Sequence, residues 1–217
     1  MVATTEQEAW SEFYGNSYEC FRARKKAGLA VKNLFPKDGS LRLFIDELYR
    51  NYVLQNKVFI QKGLRYLNDV HPKAWELILK YGKDYHPRSF KFTKPHKSRL
   101  QPVKSKCHAN SYKKMCICNR ISKTTLVTYV EGFAAGARVV PMLHAWNGEG
   151  VSDTAIDWTF YATTVWTRYF GISFTHDEYN FITSNSNGES SVHFLFDKAH
   201  FENVESKILE ILESRAV

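Results

Sequence analysis

The sequence predicts an α+β fold in which helices come first and an antiparallel sheet follows. Three observations predict it. Apolar residues recur at three- and four-residue spacing through the first 84 residues, a short polar helix starts near Ser105, and β-branched and aromatic runs separated by turn residues follow from Thr125. With 217 residues, 44% of them hydrophobic and 15% aromatic, the chain can bury a core and lies far from the composition of disordered chains.

The elements are expected in this order. Glu6 to Lys26 carries Trp10, Phe13, Tyr14, Ser17 and Phe21 at helical spacing. Ser40 suits the N-cap of a helix bearing Leu41, Phe44, Ile45, Leu48, Tyr49 and Tyr52. Further helices are expected from Val58 to Leu67 and from Pro72 to Tyr81, with Pro72 in a first turn and Gly82 at an end. The aromatic residues of this region read as core and are assigned no chemistry. Pro87 to Pro102, with three prolines and five Lys or Arg, reads as a connector or an irregular binding segment. A helix from Ser105 to Asn119 then carries Cys107 in its first turn. Strands are expected at Thr125 to Phe133, Arg138 to Trp146, Thr154 to Tyr161, Tyr179 to Thr183 and Val192 to Phe196. The closing helix, Phe201 to Arg215, shows Val204, Ile208, Leu209, Ile211 and Leu212 on one face. The expected division is a helical region, 1–84, and a second unit, 85–217.

Charge is concentrated rather than spread. Residues 85–130 hold 11 Lys or Arg and no Asp or Glu, leaving 19 basic and 22 acidic residues elsewhere in a chain of net charge +8. Such a field selects acidic partners, so an acidic protein or peptide is expected, with nucleic acid as the other anionic class. Phe90, Phe92 and Tyr112 are interleaved with the basic residues as on stacking surfaces, but no recognisable nucleic-acid-binding motif accompanies them. Four cysteines, at 20, 107, 116 and 118, are too clustered for a disulfide framework and fit a reducing compartment. No run of 18 apolar residues occurs, and Met1 to Trp10 lacks a basic start before an apolar stretch. A cytoplasmic, membrane-free protein is expected.

Cys107 stands where a helix start and the neighbouring Lys104 and Lys106 favour a thiolate. His144 lies late on an apolar strand and shares its face with Val140, Met142 and Trp146. If Asn147 to Asp153 is the loop of a hairpin, residues whose numbers sum to about 300 or 301 pair across it, and His144 and Asp157 become neighbours. A carboxylate on one imidazole nitrogen fixes the tautomer and leaves the other nitrogen for the thiol proton. Asp153 is the competing acid if the hairpin is tighter. Singly, such residues are ordinary: a small buried thiol, a core histidine, a turn carboxylate. Their ordered combination is what suggests nucleophile, base and orienter. A zinc site from Cys107, His108, Cys116 and Cys118 is disfavoured, because a helix through these positions holds Cys116 on the opposite side and Cys118 about 16 Å along the axis. No metal or cofactor is expected.

At these residues the chain resembles the papain-like cysteine enzymes, in particular the transglutaminase-like branch with Cys, His, Asp order. The resemblance rests on Lys106-Cys-His-Ala-Asn110 opening a helix, Tyr129-Val-Glu-Gly132, His144-Ala-Trp146, Asp157-Trp-Thr159 and Tyr169-Phe-Gly171, and covers about half the chain. It implies a nucleophile helix packed on an antiparallel sheet, with Cys107 as nucleophile, His144 as base and Asp157 as acid. Gln101, six residues before Cys107, stands at the offset of the oxyanion-hole side chain; the backbone N–H of Cys107 with Asn110 is the alternative donor pair. Trp146, Lys94, Lys97 and Arg99 are the residues expected to meet substrate. Trp158 stands where the relatives often have Pro, the glycines that flank the cysteine in papain-type proteases are missing, and residues 1–84 have no counterpart. The implied chemistry is acyl transfer on an amide through a thioester, of the protease, glutamine deamidase or transglutaminase type. A non-catalytic papain-like module, binding an acidic partner or nucleic acid through its basic segment, is the alternative.

Overall fold

A computed structural model describes residues 41–59, 64–87, 106–121, 126–136, 141–150, 152–157, 166–184 and 193–215. The helix expected over Glu6 to Lys26 and its neighbour's cap at Ser40 lie outside these residues. Helix α1, Leu41–Leu48, turns Leu41, Phe44, Ile45 and Leu48 inward and runs on as a π-helical turn, Tyr49–Val53. The helix expected over Val58 to Leu67 is not formed at its described ends. The Asn68 side chain instead takes both backbone groups of Phe59, accepting from its N–H at 2.8 Å and donating to its carbonyl at 3.2 Å. A 3-10 turn, Arg65–Asp69, follows. Helix α2, Pro72–Tyr81, opens as the proline predicts, with His71 Nδ1 accepting from the Lys73 N–H at 3.2 Å, and buries Ala74, Trp75, Leu77 and Ile78.

Five strands close into a barrel in the order β1-β4-β3-β2-β5. They are β1, Lys83–Pro87; β2, Val127–Gly136; β3, Met142–Glu149; β4, Thr154–Ile156; and β5, Trp166–Phe174. Among the described residues only the β1–β4 pairing is parallel. Helix α3, Cys107–Ile121, precedes β2 and packs on β2 and β3.

Closure explains one feature of the sequence. Gly132 on β2 pairs directly with Gly171 on β5, and a Cβ on Gly132 would lie 2.2 Å from the Phe170 carbonyl oxygen. The two strands approach there more closely than any side chain allows.

Several expectations are corrected. β3 continues through Asn147 to Glu149, so the hairpin loop is tighter than Asn147 to Asp153. Glu149 pairs with Thr154 and Asn147 with Ile156, two to three residues from the expected register. Tyr179 to Thr183 is the end of helix α4, His176–Thr183, whose N-terminus is held by a capping box: Thr175 Oγ1 accepts from the Glu178 N–H and the Glu178 carboxylate from the Thr175 N–H. Residues 194–196, expected in a strand, form a turn before helix α5, Lys198–Ser214, which Asp197 caps. Phe194, Leu195 and Phe196 are buried there as a plug of the core, not by strand alternation. One hydrophobic cluster joins α1 and α2 to the barrel and α5, with Trp75 against Phe133 at 5.1 Å and Phe133 against Phe196 at 5.7 Å. Among the described residues no helix is long and apolar enough to cross a membrane.

Candidate functional site

Cys107 is the first residue of α3, and the Asn110 N–H already donates to the Lys106 carbonyl at 2.9 Å. The N–H groups of Cys107, His108 and Ala109 therefore lack intrahelical acceptors and place the positive end of the helix at the thiol. The helix is fixed to the barrel through a buried amide. Asn147 Nδ2, on β3, donates to the Ser111 carbonyl at 2.9 Å and to the Thr128 carbonyl at 3.1 Å, tying α3 to β2.

His144 is buried on β3 opposite Gly132. Its Nε2 bonds Asp157 Oδ2 at 2.7 Å, and Tyr169 donates its hydroxyl to the same oxygen at 3.1 Å. Extending the β3–β4 register by one residue sets Asp157 beside Trp146, so His144 is its diagonal neighbour on the same face. The pair expected from the sequence meets, by a diagonal rather than a direct pairing. With Nε2 engaged, Nδ1 is the nitrogen left for the Cys107 thiol, which the imidazole influences electrostatically. Asp153, the competing acid, sits in the turn at φ 47° and pairs with Lys83.

A second imidazole reaches the same sulfur. His193 Nε2 lies 3.5 Å from Cys107 Sγ, and its Nδ1 lies 3.3 Å from Glu131 Oε1, an ion-pair contact rather than an aligned hydrogen bond. Glu131 is fully buried on β2 and accepts from the Tyr129 hydroxyl, from the Phe194 N–H at 3.2 Å and from the Leu195 N–H at 2.9 Å. This carboxylate thus holds in place the segment that carries His193. His108 stands edge-on to His193 with ring centres 4.7 Å apart.

Charge at the site follows from these contacts. Burial pushes the Cys107 thiol up, but the imidazoles of His144, His108 and His193 outweigh it and hold the thiol well below its usual range. Burial pulls His144 and His193 down, yet Asp157 and Cys107 raise the first to about 10, and Cys107 and Glu131 raise the second to about 10. The favoured state is a thiolate between two imidazolium ions, each backed by a carboxylate. Burial, followed by Asp157, raises the Tyr169 phenol, and burial, followed by Glu131, raises that of Tyr129, so both remain donors.

The other expected site residues are placed less directly. Asn110 is buried one turn after Cys107. Trp146, expected at the substrate, is fully buried, its indole nearly parallel to the His144 ring at 6.3 Å and 5.1 Å from Tyr169. It forms the wall behind the imidazole. Gln101, Lys94, Lys97 and Arg99 lie outside the described residues. Glu131 stands in the sequence reading only within Tyr129-Val-Glu-Gly132, with no role of its own, and His193 is not named in it at all. The signal for Glu131 was a lone carboxylate in the apolar run Val127-Thr-Tyr-Val-Glu-Gly-Phe, whereas nothing local marks His193.

Cys107, His108 and His193 also bring potential metal-ligand atoms within 4.8 Å of one another. Cys116 and Cys118 are not part of that group, in keeping with the helix that separates them. Comparisons with protein-family models, with curated proteins and with solved structures found no match to this chain.

Proposed function

We propose that the chain is a cysteine-dependent acyl-transfer enzyme with a papain-like or transglutaminase-like core, acting on an amide through a thioester. One observation carries the reading: the imidazole of His144, which draws the Cys107 thiol toward its ionised form, is bound through Nε2 to a buried carboxyl group, Asp157, at 2.7 Å. Cys107, as thiolate, attacks the carbonyl carbon; the sulfur–carbon bond forms and the carbonyl pair moves to oxygen. The tetrahedral species collapses as the carbon–nitrogen bond breaks, and the leaving nitrogen takes the proton of His144 Nδ1. His144, now neutral, deprotonates water or an amine, which attacks the thioester and releases the thiolate. Asp157 keeps the imidazole oriented and stabilises its charged form. The basic segment supports an acidic protein or peptide as substrate.

The test is acylation by p-nitrophenyl acetate followed by mass spectrometry. One acetyl group is expected on Cys107, absent in Cys107→Ser and strongly reduced in His144→Ala; an acetylated lysine with an unmodified Cys107 would sink the reading. A second reading, favoured by the 4.8 Å grouping of Cys107, His108 and His193, is a metal centre that consumes the thiolate. That reading expects a chelator to unmask Cys107 toward alkylation. The acyl-transfer reading expects equal alkylation with and without chelator.

A further inference from the structure

Three imidazoles act on the thiol, those of His144, His108 and His193, and acyl transfer by the steps above uses only His144. His193 is built with as much care. Glu131 reaches it from β2, and the same carboxylate binds two consecutive backbone N–H groups, Phe194 and Leu195, directly after it. A carboxylate with no exposure, given three hydrogen-bond donors as well as the imidazole, is a costly thing to bury unless its charge is answered. Its answer is the His193 ring.

The two rings are also placed differently toward solvent. The His144 side chain is 3% exposed and has the Trp146 indole against it, whereas that of His193 is 23% exposed. His193 is thus the more exposed of these two imidazoles beside the sulfur. A positively charged N–H at that place is suited to the oxygen that becomes negative when the sulfur attacks.

We propose, resting on the acyl-transfer reading, that His193 is a catalytic residue that donates from Nε2 to the oxyanion of the tetrahedral intermediate, with Glu131 as its positioning residue. At rest the N–H points to the thiolate at 3.5 Å. On attack the sulfur gives its electron pair to the carbonyl carbon, the carbonyl pair becomes an oxygen lone pair, and the Nε2–H turns from sulfur to that oxygen. The oxygen lies close beside the sulfur, so a donor already this near Sγ is within a small adjustment of the roughly 2.7–3.1 Å that an oxyanion donor needs. The proton stays on His193 throughout, held by Glu131, while His144 alone shuttles. His193 thereby supplies a donor beside the helix-start N–H of Cys107.

Two reagents separate this role from that of a base or a thiolate partner. Acylation by p-nitrophenyl acetate passes through an oxyanion, while alkylation by iodoacetamide is a direct displacement and does not. Both rates are measured on the wild-type chain and on His193→Ala at a pH where the thiol of each is ionised. Loss of an oxyanion donor costs on the order of 10²-fold or more, so acylation should fall by about that factor and alkylation far less. His193→Gln, which retains an N–H donor, should recover part of the acylation and serves the same comparison if His193→Ala does not fold. Glu131→Gln should shift the ratio in the same direction by a smaller factor. Equal losses for the two reagents, or no loss in either, would overturn the proposal. A wild-type chain that is alkylated but never acetylated at Cys107 would instead overturn the acyl-transfer reading beneath it.

Discussion

The Cys107 sulfur is subject to two opposed effects, and their balance decides its chemistry. Burial favours the neutral thiol, whereas the charge of His144 and the hydrogen-bonding influence of His108, His144 and His193 favour the thiolate and prevail. The sign of the pH dependence follows. Because the folded thiol is depressed below the ordinary value of about 8.5, alkylation by iodoacetamide should be flat through neutral pH and fall only as acid reaches the depressed range. Removing a positive neighbour reverses the shift, so His144→Ala should move the acid limb upward. A rate for Cys107 that still climbs through pH 8 like a free thiol would contradict the ion pair. The acidic partner is decided by geometry as well. Asp157 receives both His144 and Tyr169, while Asp153 faces Lys83 in the turn. Asp157→Ala should lower the p-nitrophenyl acetate rate by on the order of 10²-fold or more, and Asp153→Ala should leave it within about twofold. The reverse ranking would reassign the acid.

Helix α3 presents Cys107 at its start, and another element ties the helix to the barrel. Asn147 does this from β3, spanning the Ser111 and Thr128 carbonyls with one amide group. Replacing it by Ala leaves two buried carbonyl oxygens short of a donor, an expected loss of about 1–3 kcal/mol in denaturant unfolding, with slower Cys107 alkylation as α3 loosens. Full stability would show that packing alone positions the helix. The element scale also shows what was legible in the sequence. The meeting of His144 and Asp157 was, because strand alternation keeps both on one face even when the register is misjudged by two residues. The role of Asn147 was not, since a polar residue before Gly148 and Gly150 imitates a loop. Helix α4 was hidden by its β-prone residues Tyr179, Phe181 and Ile182, although Thr175-His-Asp-Glu178 carries a capping box. His193 follows a polar stretch, and its meeting with Cys107, 86 residues earlier, depends on how the turn before α5 packs under β2.

At the scale of the whole molecule, barrel closure is what brings the two carboxylate–imidazole pairs to one sulfur. β2 carries Glu131, β3 carries His144, β5 carries Tyr169, and β1 completes the ring by pairing with both β4 and β5. β1 was illegible because of its residues, Lys-Asp-Tyr-His-Pro: only Tyr85 is buried, so no apolar alternation announces it. β2 and β3 were legible for the opposite reason. The glycines at the β2–β5 crossing show how tightly the site depends on this closure. A Cβ on Gly171 would fall 2.4 Å from the Glu131 carbonyl oxygen and 2.8 Å from the Trp146 ring, so it would press at once on the strand that holds one carboxylate and on the indole behind His144. Backbone cannot yield there without parting β2 from β5. Gly171→Ala should therefore cost about 3 kcal/mol or more, read as a lowered unfolding midpoint, and the folded fraction should show slower Cys107 alkylation because both imidazoles lose their backing. Gly150→Ala is the control: its Cβ would meet nothing closer than the Leu126 carbonyl oxygen at 3.3 Å, in an exposed turn. It should cost far less and leave the thiol rate unchanged. If Gly171→Ala were as mild as Gly150→Ala, the strands would have slack at the crossing, and barrel closure would not be what fixes the geometry around Cys107.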